Sequence, residues 1–145
     1  VGAFNIEGNV VNITADIITK WKGVAFEEVC WQHANQIKRA LGIEGVQTTI
    51  SAWNVKGNDK RDGVQIDMII KRADNVINLC EMKFSGDSYI IEKDEELKLR
   101  NRIDELKKTL KARQTVHLTM ISTYGIKYGK HSGIVQKQIT MDDLF

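Results

Sequence analysis

Proline is absent from the 145 residues, and cysteine is limited to two. Without proline the usual marker of an interdomain linker is missing, and no internal repeat or low-complexity run divides the chain. Residues 1–145 therefore read as one domain, long enough to bury a core of its own. Cys30 and Cys80 form neither a C-x-x-C pair nor a cysteine/histidine cluster at zinc-finger spacing, which leaves them as reduced core thiols. Apolar runs fall well short of the roughly 20 residues that span a bilayer. The N-terminus also lacks the basic region and hydrophobic stretch of a secretory signal, so a cytoplasmic protein without a membrane partner is expected. The formal net charge of +2 is too small for a tail-type nucleic-acid binder, and any such binding must come from a local patch. His33, His117 and His131 are scattered, with no serine or cysteine nucleophile motif beside them. The chain opens on Val1 without a methionine, as a fragment or processed product would.

What is present is a sequence of elements. The first twenty residues show no clean period. From Val24 to Leu41 the apolar residues Phe26, Cys30, Ile37 and Leu41 recur at helical spacing, and Gly42 follows as a left-handed cap. Gln47–Asn54 is β-rich, and the polar stretch Lys56–Asp62 breaks it. Gly63–Lys71 and Val76–Ser85 read as a hairpin, with Val64, Ile66, Met68 and Ile70 on one face of the first strand and Cys80, Met82 and Phe84 on one face of the second. Asp94–Arg113 is a helix with an apolar stripe of Leu99, Ile103, Leu106 and Leu110. Val116–Ser122 reads as a buried strand and Ile134–Thr140 as a more exposed one. The order is helix, three strands, helix, strand, strand.

The hairpin carries the chemistry. A three-residue connection, Ala73–Asn75, puts Arg72 opposite Val76 and, by continuation, Asp67 opposite Glu81 and Gln65 opposite Lys83. Opposed residues have Cβ atoms about 4.5–5.5 Å apart, close enough for two carboxylates to share one ion. The same register pairs Ile66 with Met82 and Val64 with Phe84. Carboxylates this close repel unless a cation or proton intervenes, and Mg²⁺ or Mn²⁺ is the expected partner of an all-oxygen site. Such an ion activates water and polarises a phosphate, while Lys83 can orient that water and offset charge developing in the transition state. Ser85, next on that face, can hold substrate or water. The plainer alternative is a cross-strand ion pair of Asp67 with Lys83 and a solvated Glu81.

The stretches G-V-Q-I-D (Gly63–Asp67) and C-E-M-K-F-S (Cys80–Ser85) resemble the second and third strands of the PD-(D/E)xK nuclease superfamily. The resemblance implies an α/β, restriction-endonuclease-like core, a mixed β-sheet flanked by helices in αβββαβ order. It implies Asp67, Glu81 and the Met82 carbonyl as metal ligands, Lys83 as the catalytic lysine, and Glu27, in G-V-A-F-E-E, as a further catalytic carboxylate. The runs I-N-L-C-E-M-K-F, L-T-M-I-S-T-Y-G and D-D-L-F are similar to the C-terminal domain of bacterial AAA-type ATP-binding proteins. That implies an N-terminal ATPase module in the parent protein; no G-x-x-x-x-G-K-[ST] phosphate loop lies in this chain. One branch of the superfamily carries a Gln and a Tyr on the helix after the third strand, where this chain offers Arg100 and Arg102.

The expected function is a Mg²⁺-dependent endonuclease-type domain acting on DNA; the alternative is a non-cleaving DNA-binding or interaction module that directs the attached ATPase. Lys93, Arg100 and Arg102 are the expected phosphate-backbone contacts, with Ser85, and the other basic residues of that helix are solvated or ion-paired. Trp21, Trp31 and Trp53 read as core rather than as base-stacking residues. A homodimer is compatible with the sequence, but no coiled-coil seam marks its interface.

Overall fold

The computed structural model describes residues 8–60 and 63–145, with side chains described from residue 15. Residues 61–62 of the Lys56–Asp62 break lie outside the described residues. Two helices, α1 (Gly8–Gln32) and α2 (Ala34–Ala40), precede strands β1 (Thr48–Val55), β2 (Val64–Arg72) and β3 (Val76–Lys83). Helix α3 (Lys93–Lys107) leads to β4 (Thr115–Ser122) and β5 (Lys137–Thr140), and a 3₁₀ turn over Met141–Leu144 follows. The strands form one mixed sheet in sequence order, β1 to β3 antiparallel and β3 to β5 parallel.

Each face of the sheet buries an apolar layer. On one, Ile66, Ile69, Leu79, Leu118 and Met120 meet Leu99 and Leu106 of α3. On the other, Met68, Ile70, Cys80 and Ile121 meet Phe26 and Cys30 of α1 and Ile37 of α2. Leu99 and Leu106 of the stripe are buried there, with Ile103 packed at the margin and Leu110 packed against the same layer from beyond the end of the helix. Both cysteines are free and buried, and burial raises their thiol pKa values, Cys30 to about 12, which makes them unreactive. Trp31 and Trp53 pack against the core, whereas Trp21 is exposed.

Differences from the expected elements have local causes. The unassigned N-terminal stretch is helical from Gly8, yet Ile17, Ile18, Trp21 and Val24 are exposed. Apolar periodicity records one-sided burial, so a helix that buries neither side over those turns shows none. The helix expected over Val24–Leu41 is broken at His33, whose backbone N–H and ring Nδ1 lie 3.0 and 2.7 Å from the same Val29 carbonyl. Helix α3 stops at Lys107, short of Arg113, and the Thr109 hydroxyl donates to the Leu106 carbonyl just beyond its end.

Gly42 closes α2 at φ +72°, with Ile43 N–H on the Lys38 carbonyl and Gly42 N–H on that of Arg39, both bonds of a Schellman end. A Cβ at Gly42 meets nothing within 4 Å, so only backbone strain opposes it. Gly42→Ala is expected to cost about 1 kcal/mol, read as a lower urea midpoint at constant slope; an unchanged midpoint would show that the turn tolerates a side chain.

The hairpin connection is Ala73–Asn75, as expected, with Asn75 N–H on the Arg72 carbonyl and Asn75 at φ 66°. Met68↔Cys80, Ile69↔Leu79, Ile70↔Asn78 and Lys71↔Ile77 pair in the expected register. The continuation does not form: the ladder ends at Met68, so Asp67–Glu81, Ile66–Met82, Gln65–Lys83 and Val64–Phe84 are not paired. A bulge explains this. Against β1, Ser51 pairs with Ile69 but Trp53 with Ile66, so β2 uses one residue more than β1 over that interval. The extra residue reverses the pleat. Val64 and Ile66 therefore face α3 while Met68 and Ile70 face α1, correcting the single face expected for all four.

Candidate functional site

Beyond the bulge the β2–β3 ladder has ended, and the charged residues of the hairpin lie along that stretch of the two strands. Asp67 lies at the bulge, half-buried, and its Oδ2 accepts the Met82 N–H at 3.0 Å. A side chain thus replaces the missing ladder bond. The N–H and C=O of one residue in an extended strand point to the same side, so the Met82 carbonyl is directed toward β2 as well.

Glu81 precedes Met82 on β3 and turns toward α3. It is 2% exposed, so the alternative of a solvated glutamate does not hold. Arg102 Nη1 donates to its Oε2 at 3.0 Å, and its Oε1 is buried without a hydrogen-bond partner among the described residues. Burial, and next the charge of Asp67, push the Glu81 carboxyl up to about 8, against the pull of Arg102 and Lys83. A carboxylate oxygen with no donor, water or cation costs about 1–3 kcal/mol or more. The position favours a proton or a positive ligand.

Lys83 Nζ lies 3.3 Å from Glu95 Oε2 and 5.8 Å from the centroid of the Tyr89 ring. The Tyr89 hydroxyl donates to Glu95 Oε1 at 2.5 Å, so Glu95, not Asp67, is the ion-pair partner of Lys83. Glu27 is exposed on α1, next to buried Phe26, whose ring meets Phe84 edge-on at 6.1 Å between centroids. Partial burial, then the charge of Asp67, raise the Glu27 carboxyl, while Lys83 lowers it. Asp67 is thus felt from both sides of the sheet, by Glu27 and by Glu81.

The remaining expected residues are placed differently. Strand β3 ends at Lys83, so Ser85 is not on its face; its N–H donates to Thr123 Oγ1 at 3.0 Å and its Oγ accepts from Asp87 N–H at 3.4 Å. Lys93 is exposed at the start of α3. Arg100 pairs with Glu96 at 2.6 Å, and Glu96 also meets His131 at 2.7 Å. Arg100 and Arg102 lie on different flanks of α3, as residues two apart must. Arg100 borders a cleft of about 460 Å³ with Ile103, Asp104, Lys107 and Gln136, which neither Asp67 nor Glu81 lines. Arg102 borders one of about 290 Å³ with Gly63, Val64, Gln65, Lys98 and Asn101.

Glu95 and Tyr89 are neighbours of Lys83 that sequence reading missed. The signal was present: Glu95 and Arg102, seven residues apart, fall on the stripe of Leu99 and Leu106, where a charged side chain needs a buried partner. Among the described residues no group of three or more His, Cys, Asp or Glu is arranged to hold a metal ion. Two carboxylates and a carbonyl would suit only a hard cation that keeps most of its waters.

Among the described residues no helix is long and apolar enough to cross a membrane. No protein-family model matches the chain, and no curated protein matches it. The structure is similar to the crystal structure of a protein of unknown function, AF1548, with a TM-score of 0.50 and 17% identity over 80% of this chain. The chain spans 64% of the length of that protein, and the likeness is one of fold alone; this chain is an α/β arrangement with a five-stranded mixed sheet flanked by helices.

Proposed function

We propose that this chain is a metal-dependent nuclease-type domain of the PD-(D/E)xK kind, with a restriction-endonuclease-like core, that hydrolyses DNA phosphodiesters beside an ATPase module of its parent protein. The supporting observation is the end of the β2–β3 ladder, where the Asp67 carboxylate takes the Met82 N–H and the neighbouring Glu81 is buried with one oxygen unpartnered among the described residues.

Asp67, Glu81 and the Met82 carbonyl would hold Mg²⁺ or Mn²⁺, which supplies an acidified water and polarises the scissile phosphate. Asp67 is fixed by the Met82 N–H, so one oxygen is anchored and the other is directed elsewhere. Lys83 brings ammonium donors to the developing phosphorane charge, and Glu95 with Tyr89 limits its rotamers. Glu27 adds a carboxylate from the opposite layer, suited to holding a water.

A second reading, a non-cleaving DNA-binding or interaction module, is favoured by the ion pairs of Glu81 with Arg102 and of Lys83 with Glu95, which compensate the site charges internally. Incubation with supercoiled, branched and single-stranded DNA separates the two. Nicking that needs Mg²⁺ or Mn²⁺ and stops with chelator is the expected result. Retention of DNA without cleavage in either metal selects the DNA-binding module, and neither binding nor cleavage removes both DNA-directed readings.

A further inference from the structure

We infer that the cleft between the start of β2 and the outer flank of α3 binds a phosphate of the nucleic-acid backbone through Lys98 and Arg102, and that Arg102 relays its occupancy to Glu81. The inference rests on the nuclease reading of the site and adds to it a substrate subsite and its coupling to cation binding.

The cleft is bordered by Gly63, Val64 and Gln65 from β2 and by Lys98, Asn101 and Arg102 from α3. Its described lining has two cations, two amides and no carboxylate, which suits an anion with several oxygens. Arg102 belongs to two places at once. One guanidinium nitrogen is committed to Glu81 Oε2 at 3.0 Å, while the side chain remains 24% exposed against 3% for Glu81. A guanidinium carries five N–H donors in a planar fork, so donors remain for the cleft.

The coupling follows from charge. A cation placed on Glu81 would lie close to the Arg102 guanidinium, and the two positive groups would contend for one buried carboxylate that has a single unpartnered oxygen. Arg102 therefore supplies the positive charge that a cation on Glu81 would bring. A phosphate in the cleft offsets the Arg102 charge and draws its fork outward, which lowers the cost of bringing a cation to Glu81. By linkage the effect is reciprocal: bound cation strengthens the hold on phosphate.

The test uses the whole chain and two binding readouts, Mg²⁺ uptake by calorimetry at mildly alkaline pH and affinity for a fluorescein-labelled DNA duplex in chelator. Arg102→Gln keeps a neutral donor for Glu81 and is expected to bind Mg²⁺ about fivefold more tightly and duplex about fivefold more weakly. Arg102→Lys, which keeps the charge, should show no gain in Mg²⁺ affinity. Lys98→Gln should weaken duplex binding alone, at unchanged Mg²⁺ affinity. An Arg102 that served only to brace the fold would give weaker or unchanged Mg²⁺ binding in Arg102→Gln, and that result overturns the inference, as does wild-type duplex affinity in both variants. If the wild type takes up Mg²⁺ and cleaves DNA while Arg102→Gln shows no gain, the inference fails and the nuclease reading stands. If the wild type binds neither Mg²⁺ nor duplex, the nuclease reading falls with it.

Discussion

Lys83→Ala is expected to lower metal-dependent DNA nicking by at least ~10²-fold, the usual loss when one charged donor to a transition state is removed. Lys83 is the cation of β3 beyond the end of the β2–β3 ladder, held by Glu95 at 3.3 Å and by the face of Tyr89. Its removal leaves the Tyr89–Glu95 hydrogen bond in place but takes the cation from the buried Glu95 Oε2, so the thermal midpoint should fall by a few degrees while nicking falls far more. Activity and stability therefore separate. Asp67→Asn is expected to be as severe for cleavage, yet the asparagine carbonyl can still accept the Met82 N–H at the bulge. Initial nicking rates at saturating Mg²⁺, beside thermal melts of each variant, check both. Cleavage that survives either substitution would take that residue out of the site.

Glu81→Gln is expected to change how stability depends on pH. Folding raises this carboxyl from 4.5 to about 8, chiefly by burial and then by the charge of Asp67. The folded state thus holds the proton more tightly than the unfolded state does. That contribution is complete below 4.5 and is lost as pH rises through about 8. The wild-type chain in chelator should therefore lose stability across this window relative to Glu81→Gln, which cannot ionise. Relaxation and water entry reduce the effect below the full shift, to on the order of 2 kcal/mol, or about 4–8 °C in the melting midpoint. Midpoints measured through the window decide it. Parallel profiles for the two proteins would show that Glu81 is not held neutral by its surroundings. Saturating Mg²⁺ should flatten the wild-type profile, because a bound cation takes the place of the proton.

Much of the hairpin was legible before any coordinates. The short polar connection specified a three-residue turn, and the observed pairs from Met68↔Cys80 to Lys71↔Ile77 follow from it. Leu99, Ile103 and Leu106 of the apolar stripe marked the face of α3 that covers the sheet, and Leu110 falls past its end. What the pattern could not reveal was the bulge at Asp67. Val64, Ile66, Met68 and Ile70 alternate as an uninterrupted strand would, and all four are buried, so either face suits each of them. A strand covered on both sides carries no record of a reversal in its pleat.

The charged residues divide in the same way. Sequence by itself determined that Asp67, Glu81 and Lys83 would lie at one end of one hairpin, because strand period and turn length are local properties of the chain. Tertiary structure decided their partners: Arg102 on Glu81, Glu95 on Lys83, the Met82 N–H on Asp67, and Glu27 brought in from α1. Those pairings depend on how α1 and α3 lie across the sheet. Long side chains reach whatever the packing of apolar faces sets beside them, and spacing along a chain does not encode that distance. A buried carboxylate accordingly acquires its character from residues remote in sequence. Glu81 looked like one half of a cross-strand pair and is instead an enclosed acid, shared between Arg102 and an oxygen left free for a further ligand.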